Sequence, residues 1–257
     1  MLNIDPNDWE KNLKLLEAGS IRSASYDPKS DKWTVNTSVK QTILTTFKNG
    51  KNVYHKDIYD YFIDKDNLPV RKFTLEEKIR FVPGGSSVRS GAYIAPGVII
   101  LPPSYINIGA YVDEGTMVDS HVLVGSCAQI GKRVHLSAGV QIGGVLEPIG
   151  MAPVIIEDDC FIGADAIIVE GILIKKRAVI APGVILSKAV PVYDLVNEKI
   201  LERGSSIPEN AVVVPGSRAI KSKFAQDNGL SLNCAIIVKY RDDKSDLSLV
   251  LEESLRS

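Results

Sequence analysis

An aliphatic residue recurs at every sixth position, without a miss, through Val82, Val88, Ile94, Ile100, Ile106, Val112, Val118, Val124, Ile130, Leu136 and Ile142. After a break containing LEPIGMAP the register resumes at Ile156 and runs through Ile162, Ile168, Ile174 and Ile180 to Leu186, with a last trace at Ile207 and Val213. Neither a helix nor a flat sheet has a period of six. Three six-residue segments make one triangular coil of about 18 residues, with the aliphatic side chain pointing into the prism. The seventeen repeats up to Leu186 supply nearly six coils. Small or acidic residues often follow the aliphatic position (Gly125, Gly131, Gly143, Gly163, Asp113, Asp119, Glu157), which suits tight corners between short strands. The expected fold is mainly β, a left-handed parallel β-helix.

The flanks lack this period. Trp9, Leu13 and Leu16 fall on one helical face, as do Val39, Ile43, Leu44 and Phe47 ahead of Asn49-Gly50. Residues 1–78 are therefore expected to form a small, mostly helical N-terminal domain, with 51–78 an aromatic-containing linker. Residues 79–216 are the β-helix. In the C-terminal extension, 217–257, NCAIIVKYR reads as a strand and LSLVLEESLRS as a short closing strand or helix.

Composition narrows the partners. Thirty Lys+Arg against thirty-one Asp+Glu give a net charge of -1, so no global basic field draws the chain to nucleic acid. No apolar run has the length of a membrane span or a signal peptide, and a cytoplasmic protein is the expectation. Cys127, Cys160 and Cys234 are odd in number and contain no CxxC, which points to reduced, buried thiols. β-helices of this kind commonly associate around a three-fold axis, so a homotrimer with ligand clefts between subunits is expected. The insertion at 143–155 would project from one corner into such a cleft.

SYINIGAYVDEGTMVDS, VGSCAQIGKRVHLSAGVQIGGVLEP and IIEDDCFIGA together resemble the tetrahydrodipicolinate N-succinyltransferases, as do LLEAGSIR and CAIIVKYRD near the two ends. The resemblance implies an acyltransferase that moves a succinyl group from succinyl-coenzyme A to a cyclic imine dicarboxylate, giving N-succinyl-2-amino-6-oxopimelate on the diaminopimelate and lysine route. It carries an acid/base and acceptor-contacting role onto Asp119 and a substrate-binding role onto Arg80. Many relatives have a second acid where this chain has Ile167. Glu170 in IVEG is retained as a weaker catalytic candidate, and Asp165, two residues from Ile167, is a possible substitute by the period-two rule. The related N-acetyltransferases are also aliphatic at this place, so acetyl transfer to the same acceptor is the alternative.

The chemistry needs a proton acceptor for the attacking nitrogen and donors for the tetrahedral oxyanion. Three carboxylates on the two substrates call for cations, preferably Arg. Beyond Arg80 the weaker candidates are Arg89, Arg133 and Lys188, with Lys175-Lys176-Arg177, or Arg218 and Lys221, for the phosphorylated end of coenzyme A. Gly143 and Gly144 either admit a pantetheine arm to backbone amides or simply make corners.

Rival classes fit less well. A zinc hydratase needs three converging imidazoles, and His55, His121 and His135 lack such spacing, so no metal is expected. His135 is a possible general base, more often a corner or interface histidine. DEGTMVD lacks the alternating oxygen ligands of a calcium loop. A non-catalytic trimeric scaffold would lack Asp119 and Arg80. Asp113 and Asp119 follow consecutive inward rungs, so they should stand on different edges of the prism.

Overall fold

The computed structural model describes residues 4–54 and 62–241. His55 and the closing segment LSLVLEESLRS lie outside them. From Arg80 onward the chain winds through two-residue strands joined by four-residue corners, and each strand pairs in parallel with the strand one coil above. Each pair holds one inward residue over another, as in Val118 opposite Leu136 and Val124 opposite Ile142. The fold is a left-handed parallel β-helix.

Three faces result. Face 1 carries the inward rungs Phe81, Ile100, Val118, Leu136, Ile162, Ile180 and Val213. Face 2 carries Val88, Ile106, Val124, Ile142, Ile168 and Leu186. Face 3 carries Ile94, Val112, Ile130, Ile156 and Ile174, extended by a bridge to Ile207. Rungs such as Val118, Val124, Leu136 and Ile142 are wholly buried in one continuous core. Each buried Val, Leu or Ile contributes about 1.5–3 kcal/mol, and that burial is what gives the six-residue period its force.

One rung differs from the expected register. Phe81, not Val82, stands opposite Ile100, because Arg80 N–H bonds Val98 O and Val82 N–H bonds Ile100 O. Phe81 is only partly buried and meets Phe73 at 5.5 Å between ring centroids. The first coil closes the end of the prism with an aromatic pair instead of an aliphatic rung.

The N-terminal segment contains α1 (Trp9–Glu17), β1 (Ala24–Asp27), β2 (Lys32–Val35) and α2 (Thr37–Asn49). Within 51–78 lie an antiparallel hairpin, β3 (Asn52–Tyr54) with β4 (Ile63–Lys65), and a short turn of helix at Leu75–Glu77. Leu16, Val39 and Ile43 pack against Ile108 and Cys127 on the edge between faces 2 and 3. Face 3 is covered as well: the Arg22 guanidinium lies 3.6 Å from the centre of the Tyr111 ring, and its Nε donates to Gln129 Oε1 at 2.9 Å. Trp33 Nε1 donates to Glu157 Oε1 at 2.9 Å.

The inserted loop makes its contacts with the N-terminal helices and the neighbouring coil. Leu146 packs against the helical cluster, Val145 N–H bonds Ser126 O at 3.1 Å, and the buried Lys40 donates to Met151 O at 2.6 Å. The loop is therefore held against the chain's own helices, because an apolar Leu and a free carbonyl find partners there. At the other end, Ala211–Ala219 and Ser231–Tyr240 form a long antiparallel hairpin continuous with face 1. Among the described residues no helix is long and apolar enough to cross a membrane.

Candidate active site

The edge between faces 1 and 2 carries Asp119. Its N–H donates to Leu136 O at 2.9 Å and its carbonyl accepts from Ser104 Oγ at 2.7 Å, so the backbone is fixed by the coils on both sides. One carboxylate oxygen, Oδ1, caps the corner by accepting the Ser120 N–H at 2.7 Å. Ser104 Oγ also accepts from Val122 N–H at 3.2 Å, which ties both ends of the corner to one hydroxyl.

Beside this corner is a shallow cleft of about 280 Å³, lined among others by Ser87, Ser104, Tyr105, His121 and Gln141. His121 is exposed at the third position of the corner, with a left-handed backbone of φ 62°. Its N–H donates to Pro103 O at 2.7 Å, and its carbonyl accepts from Gln141 Nε2 at 3.5 Å. Sequence reasoning weighed this residue only as a metal ligand. The signal that marks it is its slot: the equivalent corner positions in the coils above hold Gly139, Asp165 and Gly183, at φ 75°, 56° and 71°.

Arg80 is exposed on face 1, in the same file as Ile99 and Met117. Met117 immediately precedes the rung before Asp119, so Arg80 stands two coils away on the face that leads into that edge, roughly 10 Å along the axis. No ion pair engages Arg80 among the described residues. Asp165 lies on Asp119's edge, two coils up. It is not on an extended segment with Ile167 as the period-two argument required: its φ is 56°, a corner conformation, and only Ile167 and Ile168 form the strand. Ile167 faces outward on face 2, between Gln141 and Ile185.

The remaining candidates gather on the opposite edge, between faces 2 and 3. Glu170 Oε2 accepts the Lys188 N–H at 2.8 Å, a bridge between successive corners. Gly143 and Gly144 are packed against their own chain: a Cβ at Gly143 would stand 2.9 Å from Val169 Cγ1, and one at Gly144 2.7 Å from Ser126 N. Close coil-to-coil approach thus accounts for both glycines. Face 2 separates Glu170, Lys188 and the glycines from Asp119 within one chain.

Other cations are engaged. Arg89 pairs with Asp64 at 2.6 Å, Arg133 with Asp159 at 2.6 Å, Lys175 with Asp31 at 3.4 Å, and Arg177 Nε donates to Asn210 Oδ1 at 2.8 Å. Arg218 lies in the C-terminal hairpin and Lys221 just beyond its first strand. His135 projects from face 1 and stacks on Phe161, with ring centroids 4.9 Å apart. All three cysteines are free and buried, and burial pushes the Cys127 thiol up to about 12. Among the described residues no group of His, Cys, Asp and Glu is arranged to hold a metal ion.

Comparison with known proteins fits this geometry. Residues 153–188 match the model described as the hexapeptide repeat of succinyl-transferase. The chain is 45% identical over 253 residues to the 2,3,4,5-tetrahydropyridine-2,6-dicarboxylate N-succinyltransferase of Nitrosococcus oceani, covering 96% of this chain and 88% of that one. The enzyme of the same name from Coxiella burnetii is 46% identical over 248 residues, with the same coverage. Protein TabB of Pseudomonas amygdali pv. tabaci is 46% identical over 254 residues, again covering 96% and 88%. Coils of this kind with this repeat define a hexapeptide-repeat acyltransferase. More narrowly, the chain belongs to the 2,3,4,5-tetrahydropyridine-2,6-dicarboxylate N-succinyltransferase family.

Proposed function

We propose that the protein transfers a succinyl group from succinyl-coenzyme A to tetrahydropyridine-2,6-dicarboxylate, in diaminopimelate and lysine biosynthesis. The observation that carries this reading is 45% identity over 96% of the chain to an enzyme of that name. Asp119 polarises the attacking nitrogen with the carboxylate oxygen that Ser120 leaves free, and Arg80 receives a substrate carboxylate. Glu170, Lys188 and the Gly143-Gly144 corner flank the donor side. Their place on the far edge of face 2 favours a site shared between neighbouring subunits, since one chain does not bring them to Asp119.

The working protein is a cytoplasmic homotrimer. Face 3 is filled by the N-terminal segment, whereas faces 1 and 2 carry outward Ile99, Met117, Phe161, Leu123, Ile167 and Ile185 for subunit contact. The division into residues 1–78, 79–216 and 217–257 belongs to the same reading.

Acetyl transfer is favoured by one feature, the aliphatic Ile167. The purified protein is assayed for thiol release with succinyl- and acetyl-coenzyme A in the presence of the acceptor. Release with succinyl-coenzyme A is expected. Release with acetyl alone overturns the donor assignment, and release with neither favours a scaffold.

A further inference from the structure

The corner that presents Asp119 also presents a second proton-handling group. Asp119 and His121 are two residues apart on one rigid turn, held by the Ser104 hydroxyl at both ends and by the His121 N–H to Pro103 O at 2.7 Å. The coil above places Gly139 over His121, with Gly139 N–H bonded to Ser120 O at 2.9 Å. A residue with no side chain leaves room there for a group from the next coil. One coil higher, the Asp165 carboxylate occupies the place where a Cβ on Gly139 would stand. Asp119, His121 and Asp165 therefore share one edge, and the imidazole borders the cleft formed with Ser87, Tyr105 and Gln141. The titratable groups on and beside this edge are Asp119 from its own corner, Tyr105 from face 2, Asp165 from above, and Arg80 and His135 outward on face 1. Ile167, outward on face 2, offers no proton acceptor.

We propose that His121 takes the proton of the attacking nitrogen while Asp119 orients that nitrogen, an inference that rests on the transfer reaction proposed above. The acceptor ring first adds one water across its C=N bond, giving a secondary amine N–H. The nitrogen lone pair forms the new C–N bond to the thioester carbonyl carbon, and the N–H proton passes to the imidazole. The C–S bond then breaks with its electron pair on sulfur, and the imidazolium returns the proton to sulfur as free thiol. The ring C–N bond at the hydrated carbon then breaks with its electron pair on nitrogen, that carbon becomes the ketone, and its hydroxyl proton goes to the amide nitrogen.

The test compares wild type with H121N and H121G, since Asn and Gly both accept the left-handed backbone. The expected result for H121N is a kcat lower by about 10²–10⁴-fold with an unchanged KM for succinyl-coenzyme A. Free imidazole should restore turnover to H121G. Wild-type kcat in H121N overturns the proposal, and so does a slow H121G that imidazole leaves slow. A separate readout holds whichever acyl donor the enzyme uses: the His121 ring resonances, assigned by their absence in H121N, should shift when the dicarboxylate acceptor is added alone. Resonances that stay in place overturn the position given to His121, even if succinyl transfer is established.

Discussion

Two edges of the same prism obey one repeat, yet one has its charges paired and the other does not. On the edge between faces 3 and 1, Asp113 caps its corner through the Glu114 N–H at 2.8 Å, much as Asp119 caps its own through Ser120 at 2.7 Å. Around Asp113, however, nearly every charge is spent on a neighbour. Lys132 meets Glu114 at 3.3 Å, Arg133 makes a two-pronged bond to Asp159, and Asp158 Oδ1 receives the Lys132 N–H at 2.9 Å. Burial pushes the Arg22 guanidinium below its ordinary value, against the pull of Tyr111, Asp113 and Asp158. The edge between faces 1 and 2 has Asp119, His121, Gly139 and Asp165, with no ladder of cations. A corner carboxylate becomes available for chemistry where the coils above and below leave it space and no compensating charge.

The largest expected effect tests that contrast directly. Asp119→Asn keeps the cap's shape and removes the charge that orients the attacking nitrogen, and turnover should fall by about 10²-fold or more. Asp113→Asn makes the same change in the same repeat slot and should leave turnover unaltered while the trimer persists in both. Steady-state thiol release and light scattering on the two variants decide the matter. Equal losses would mean that the two carboxylates act through the coil and not through a site.

The rung between the edges supplies the next effect. Leu136 is wholly buried opposite Val118 and Ile162, and its own backbone receives the Asp119 N–H at 2.9 Å. Leu136→Ala should destabilise the fold by about 2–5 kcal/mol, read as a lower urea midpoint. Both edges depend on the same rungs, so the loss should appear with the m-value unchanged.

How much of this was legible in the sequence follows from what the repeat encodes. An inward aliphatic every six residues dictates the coil and assigns each residue an edge, so the separation of Asp113 from Asp119 was readable from Val112 and Val118 alone. The repeat says nothing about ends and insertions. Phe81 replaces Val82 as the first rung because its ring meets Phe73, a contact made by a segment outside the period. The loop after Gly143 turned toward the helices because of Lys40, whose ammonium sits 111 positions away from the Met151 carbonyl it bonds. Asp165 was misjudged because a local rule for strands was applied to a corner. The role proposed for His121 was not legible because it depends on Gly139 and Asp165, which come beside it only after the coils stack.

The smallest effect completes the contrast between the edges. Arg133 and Asp159 are joined by two bonds of 2.6 and 2.8 Å, yet their side chains remain 50% and 39% exposed. Solvent and salt screen such a pair, and exposed ion pairs contribute about 0–1 kcal/mol. The good fork geometry places this one toward the upper end of that range, and the neighbouring Asp158 and Glu114 add to the attraction. Arg133→Ala should therefore lower the urea midpoint slightly at low ionic strength, and the difference from wild type should shrink as salt is raised. Transfer activity should not change, because the pair stands on the edge between faces 3 and 1. A large loss of turnover in Arg133→Ala would show that the charge-saturated edge also serves the substrates, and the division of labour between the two edges would have to be redrawn.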